Sequence, residues 1–214
     1  MEHMTCDWCG KDILVKQYKI IQFKHHFCSI DCKREWYAQV WSQQEWWKNE
    51  SRKRGAKVSA DAIGKTATRP QLLINEILNE MNIKYTNEYN CIYYSIDNYL
   101  DEYNLAIEVM GDYWHSNPFS YNLFEVSDMQ KEIIGRDKAK KSFLKNKYNM
   151  QVLYLWETDI IKRPELCKML IQKYIDLSGL LEDYNSFNYE IVDQQLKLRD
   201  ELTIPYQDYK KLTA

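Results

Sequence analysis

The sequence predicts an α/β protein, a mixed sheet flanked by helices, preceded by a small cysteine-rich module. Three observations carry that expectation. Four of the six cysteines fall within the first 32 residues. After residue 70 the apolar pattern runs helix, three strands, helix, strand, helix. The charge is divided: residues 1–70 carry 13 Lys/Arg against 8 Asp/Glu, and residues 71–214 carry 16 against 23.

At 214 residues, 45% hydrophobic and with only 6 Gly and 4 Pro, the chain has enough apolar surface to close a core, which excludes disordered, collagen-like and low-complexity classes. A net charge of −2 excludes a uniformly basic coat, so an anionic partner would be met by local patches. No apolar run approaches the ~20 residues of a membrane span, and no leader pattern opens the chain. The expectation is a cytoplasmic protein without a membrane partner.

In order along the chain, Cys6-Asp7-Trp8-Cys9 reads as a tight knuckle, and Cys28 and Cys32 lie one helical turn apart at a helix start. Two close thiol pairs about 20 residues apart suit a tetrahedral Zn²⁺ site in a reducing compartment, with His25 and His26 as reserve ligands. Between the pairs, Ile13 to Phe23 reads as a short hairpin. A helix is expected from Asp31 to about Arg54, with Trp36, Val40 and Trp47 in a stripe and Arg34, Lys48, Arg52, Lys53 and Arg54 on polar positions. These cations, with Lys57, are candidate DNA contacts. Gly55 to Thr68 reads as a connector, and its Gly64-Lys65-Thr66 lacks the leading glycine of a phosphate loop.

Pro70 opens a helix through Met81. Strands follow at Ile92 to Leu100 and Leu105 to Met110, joined by the turn Asp101-Glu102-Tyr103-Asn104. A basic helix spans about Met129 to Lys147, with Lys138, Lys140 and Lys141 as further phosphate contacts. A strand over Gln151 to Trp156 and a helix from Pro164 to about Leu177 complete the pattern. Cys91 and Cys167 read as small buried apolar residues. The expected divisions are 1–32, a zinc module; 33–69, basic helix and connector; 70–178, the α/β domain; and 179–214, an extension to which the sequence assigns no role.

Phosphodiester hydrolysis needs a divalent metal on oxygen ligands and a proton-transfer group near the attacking water. Asp97 and Glu108 sit on consecutive strands where antiparallel pairing can bring both carboxylates to one end of the sheet, so they are the candidate Mg²⁺ ligands. The frame matches the Asp…(Asp/Glu)-x-Lys arrangement of metal-dependent nucleases, except that Met110 holds the lysine position. Methionine cannot exchange a proton, so another residue must take that part.

The block Ile107-Glu108-Val109-Met110-Gly111-Asp112-Tyr113-Trp114-His115-Ser116-Asn117-Pro118, followed by Arg136-Asp137-Lys138 and by Leu153 to Ile160, resembles the very-short-patch-repair endonucleases of the PD-(D/E)XK superfamily. Within that fold it is most similar to the homing-endonuclease branch named for its Glu, Asp, His, Asp (EDxHD) motif. The resemblance spans about residues 70–175. It implies a restriction-endonuclease-like core and Mg²⁺-dependent cleavage of double-stranded DNA. By position it implies Asp97 as principal metal ligand, His115 as proton-transfer group, Glu76 and Asp137 as orienting residues, and Glu108 as an extra strand carboxylate. Mismatch-directed or restriction-type nicking, and a zinc-containing DNA-binding protein without cleavage, are the competing expectations. Monomer and homodimer both stand open.

Overall fold

The computed structural model describes residues 1–61 and 67–209, and the side chains of residues 1–55 and 67–209. Two compact units are present, Met1–Gly55 and Ala56–Ala214. Lys57, the connector's centre and Gly64-Lys65-Thr66 lie outside the described side chains.

In the first unit, β1 (Glu2–Thr5) pairs antiparallel with β2 (Asp12–Val15), and the cysteine knuckle is the turn between them. Cys6 N–H donates to Lys11 O at 2.8 Å, Gly10 N–H donates to Cys6 O at 2.9 Å, and Gly10 takes φ +71, a conformation open to glycine. The hairpin expected over Ile13 to Phe23 is therefore corrected. Only Ile13 to Val15 are strand, their partner lies before the knuckle, and α1 (Gln17–Gln22) follows with no buried residue. The first cysteine pair must itself turn the chain, so the strands flank it.

α2 (Ile30–Trp36) starts at Ser29, whose side chain accepts from Cys32 N–H at 3.1 Å. The single helix expected over 31–54 is broken. A π-helical turn at Tyr37–Trp41 and three non-helical residues precede α3 (Glu45–Asp61), which runs past Gly55 into the stretch read as connector. The interruption lets Trp41 pack against Trp36 at 5.6 Å, Trp46 at 5.0 Å and Trp47 at 6.2 Å, mostly tilted or edge to face.

The second unit holds a four-stranded mixed sheet. β3 (Thr86–Cys91), β4 (Tyr94–Leu100) and β5 (Leu105–Met110) form an antiparallel meander, and β6 (Val152–Trp156) pairs parallel to β5 across a helical crossover. α4 (Arg69–Glu80), with Pro70 in its first turn, packs Ile74, Ile77 and Leu78 on one sheet face. The short α6 (Glu157–Lys162) and α7 (Pro164–Asp176) complete that layer, with Leu166, Leu170, Ile171 and Tyr174 inward. α5 (Asp128–Tyr148) covers the other face, where Leu144 meets Ile96, Ala106, Met110, Val152 and Trp156. The α/β class and the flanked mixed sheet are as expected from sequence.

Residues 179–209 are ordered around this core. Tyr154 N–H donates to Tyr184 O at 2.7 Å and Tyr154 bridges Asn185, which covers the outer edge of β6. A hairpin of β7 (Tyr189–Val192) and β8 (Gln195–Leu198) follows. Tyr206 then packs on Val126 and Ile134 of the α5 layer, and Tyr189 is fully buried in the α4/α7 core.

Candidate functional site

The four cysteines converge as a metal-ligand set. Their sulfur atoms all lie within 4.8 Å of one another, with Cys9 to Cys28 at 3.6 Å and Cys28 to Cys32 at 3.4 Å. A tetrahedral ion with Zn–S near ~2.3 Å separates its sulfurs by about 3.8 Å, so the donor set fits Zn²⁺. Asp7 ties the two halves together, accepting from His26 N–H at 2.8 Å and lying 3.3 Å from His25 Nδ1. Burial works against ionising Cys6, but the backbone N–H groups of Cys9, Cys28 and Trp8 outweigh it and bring that thiol down to about 6. Such N–H donors favour thiolate at a metal site. The hydrogen bonds of Cys32 and Cys9, followed by burial, hold the Cys28 thiol up at about 12.

In the sheet unit the strand register builds a row of carboxylates. Asn87 pairs with Asn98 and Tyr89 with Ile96, which sets Glu88 opposite Asp97. Asn98 pairs with Ile107, and one further step sets Asp97 opposite Glu108. Regular pairing stops at this row. Glu88 adopts φ +47, uncommon for a residue with a Cβ, and face alternation breaks here: Asn98 bonds Asn75 of α4, whereas Ile96 packs under α5. The Val109 N–H left over where β4 and β5 diverge is taken by Asp97 Oδ2 at 2.7 Å. Asp97 is thereby fixed where the two strands part.

Like charges in one row repel, and α5 supplies the counter-charge. Lys140 Nζ lies 2.5 Å from Glu108 Oε2, both side chains being largely buried. Burial, then Asp97 and Asp137, raise the Glu108 carboxyl to about 8 despite that ammonium. Burial of Lys140 is more than offset by Glu108, Asp97 and Asp137, so its pKa rises. Glu108 Oε1 is buried with no hydrogen-bond partner. An orphaned carboxylate oxygen beside Asp97, in a patch short of positive charge, fits a hard divalent cation. Among the described residues only the cysteines form a closed metal cage, so a cation on the carboxylates would also need water or phosphate oxygens.

His115 is delivered by the turn after β5. Its N–H closes on Gly111 O at 3.0 Å, and Gln130, a buried member of the α5 capping box, donates to Tyr113 O at 2.7 Å. His115 Nδ1 then lies 2.6 Å from Asp137 Oδ2. An ionised carboxylate only accepts, so Nδ1 carries the proton and Nε2 keeps its lone pair. Asp112, next to Gly111, is a turn residue, held by Asn117 Nδ2 at 2.7 Å and by the Thr158 hydroxyl.

Asp97, Glu108, His115 and Asp137 are thus brought together; Glu76 is not. It is exposed on α4 in line with Leu72, which is 49% exposed, so the face carrying both points outward. Gln71 of the same helix reaches the row instead, with Nε2 3.4 Å from Asp97 Oδ1 and 3.5 Å from Glu88 Oε1. Sequence reading missed Gln71, Glu88 and the position of Lys140. Folding the hairpin about residues 92 and 93 would have found Glu88 opposite Asp97. Met110 is buried in the apolar layer under α5, and the ammonium near Glu108 comes from that helix instead.

The predicted DNA contacts are dispersed. Lys140 is buried in the carboxylate site; Lys138 donates to Tyr209 O at 2.8 Å and Lys141 to both oxygens of Asp208 at 2.8 Å. In the first unit Arg34 pairs with Asp31 at 3.7 Å, Lys48 with Glu45 at 3.6 Å and Lys53 with Glu50 at 2.8 Å, while Arg54 lies over Trp47 and Arg52 is exposed.

No family model matches the chain. It is similar to the type II nicking enzyme V.HpaIIP of Haemophilus parainfluenzae, 26% identical over 134 residues, covering 59% of this chain and 92% of that protein. Among solved structures it is similar to the catalytic domain of homing endonuclease I-Bth0305I, 28% identical with a TM-score of 0.40, over 52% of this chain and 98% of that domain.

Proposed function

We propose that the chain is a metal-dependent DNA endonuclease, site-specific in the manner of homing enzymes, with a structural Zn²⁺ in its N-terminal unit and double-stranded DNA as substrate. The observation that carries this reading is the proximity of two assemblies: the Glu88, Asp97, Glu108 row with Lys140, and the His115–Asp137 pair, whose Asp137 raises the pKa of both Glu108 and Lys140.

Asp97 and Glu108 hold Mg²⁺ in this reading, and the bound cation supplies charge stabilisation to the phosphodiester. Asp137 orients the imidazole and stabilises it once protonated, and His115 Nε2 accepts the proton of the attacking water. Lys140 takes the place left vacant by Met110, its ammonium 2.5 Å from Glu108 Oε2 opposing the rise that burial imposes on that carboxyl. Glu88 and Gln71 position the Asp97 carboxylate from the opposite side. The similarity to a type II nicking enzyme over most of that protein's length supports a second reading, in which the chain cuts one strand only.

Purified protein incubated with supercoiled plasmid and genomic fragments, in Mg²⁺ or EDTA, tests this directly when new ends are mapped by sequencing. Discrete Mg²⁺-dependent ends are expected. Ends on one strand, or only at mismatches, select the nicking or repair reading. DNA retained without new ends overturns the enzyme assignment.

A further inference from the structure

On the long helix of the first unit, Arg52 and Arg54 have no carboxylate partner among the described residues, but a denser group of such cations lies elsewhere in the unit. A groove of about 880 Å³ runs between β2, α1 and α2, and it is lined by Lys16, Lys19, Lys24 and Lys33 with no Asp or Glu. All four lysines are exposed. Among the described residues Lys16, Lys19 and Lys24 have no side-chain partner, and Lys33 makes only a cation–π contact with Tyr37 at 5.9 Å. Arg34, Lys48 and Lys53, by contrast, each face a carboxylate three residues away.

Apolar surface lies in the same place. Phe23 is 50% and Tyr37 41% exposed, both at the groove. Three lysines without a side-chain partner and a fourth over the Tyr37 ring, interleaved with exposed aromatic side chains, are the combination that tracks a phosphodiester backbone while offering its bases and sugars something to stack on. An acidic peptide would use the lysines but leave the rings unexplained.

We infer that this groove, rather than the polar face of α3, is the nucleic-acid contact of the N-terminal unit, with the lysines on successive phosphates and Phe23 and Tyr37 against sugar or base. The inference rests on the DNA-directed reading above and adds to it a contact surface on the N-terminal unit.

The test compares the full chain with two variants, Lys16→Gln/Lys19→Gln/Lys24→Gln/Lys33→Gln and Lys48→Gln/Arg52→Gln/Arg54→Gln, on a 30-base-pair duplex and a 30-nucleotide single strand. Each lost phosphate contact removes about 0.7–0.9 from the slope of log K against log salt. The groove variant should lose about 3 and the helix variant less than 1, both with zinc content unchanged. Phe23→Ala should weaken single-strand binding about tenfold. Equal slopes in parent and groove variant, a larger loss in the helix variant, or no DNA binding by the parent would each overturn the groove. So would a parent that bound polyglutamate through these lysines and DNA without them. Cleavage reads out separately. A groove-dependent slope with no new DNA ends keeps the groove and removes the endonuclease reading, while Mg²⁺-dependent ends with an unchanged slope do the reverse.

Discussion

The two units are held together by different physics. In Met1–Gly55 the buried apolar residues among those described are Cys6, Val15 and Trp36, while Leu14, Tyr18, Ile21, Phe23 and Ile30 are exposed. In a segment this poor in core, a metal on the four cysteines would supply the missing cross-link. In the sheet unit Ile74, Leu78, Leu100, Ile107, Leu153, Leu155 and Leu170 are fully buried, and the core continues on both sheet faces. That surplus lets the second unit carry repelling carboxylates, an orphaned Glu108 oxygen and a left-handed Glu88. Structure in one unit and chemistry in the other should therefore respond to different perturbations.

The largest effect should come from the zinc ligands. Structural Zn²⁺ sites contribute roughly 10–16 kcal/mol of apparent folding free energy at neutral pH, so Cys9→Ser or strong chelation should unfold the first unit outright. Five of the seven tryptophans lie before residue 48, so fluorescence reports that unit. Loss of the fluorescence transition with retained far-ultraviolet signal from the sheet unit is expected. A zinc content unaltered by Cys9→Ser would remove the metal from the comparison.

Next in size is the loss of chemistry without loss of structure. Asp97→Ala should abolish cleavage and leave DNA affinity within about threefold, because phosphate and groove contacts lie elsewhere. His115→Ala should slow single-turnover cleavage by about 10²–10⁴. Residual rates within threefold of the parent would show that the His115–Asp137 pair is structural.

Core truncation in the second unit gives the converse. Leu78 is fully buried between α4 and the sheet, and Leu78→Ala should cost about 2–5 kcal/mol, seen as a lowered denaturation midpoint of the sheet unit with zinc content unchanged. Loss of zinc in that variant would mean that the units do not fold independently.

The smallest expected effect is a pH dependence. The Glu108 carboxyl is raised from the ordinary 4.5 to about 8, so the folded state holds that proton more tightly than the unfolded chain. The stabilisation is fully present below about 4.5 and is lost as pH rises through about 8. The metal-free melting temperature should fall by a few degrees over that range, and Glu108→Gln should flatten the fall. An equal slope in that variant would place the titration in another group.

How much of the site was legible follows from the range of each signal. The cysteine quartet was readable because ligand chemistry restricts spacing to a knuckle and one helical turn, both local. The proximity of Asp97, Glu108, His115 and Asp137 was readable through the hairpin and the Gly-Asp-Tyr-Trp-His block. Glu76 was misplaced because a helical wheel leaves the direction of the inward stripe free by about a residue, and Leu72 looks as apolar as Leu73 until the sheet selects a face.

By itself the sequence determined the α/β order of elements, the clustering of the four cysteines and the strand positions of the carboxylates, because periodicity and ligand spacing act over a few residues. Only the tertiary structure decided that Lys140 is buried on Glu108 while Lys138 and Lys141 are held by the C-terminal segment. It also put Glu88 and Gln71 beside Asp97 and turned Met110 into core. The physical reason is that a lysine's role depends on which carboxylate the fold brings within a few ångströms, and that distance is set by helix-on-sheet packing between residues far apart in the chain.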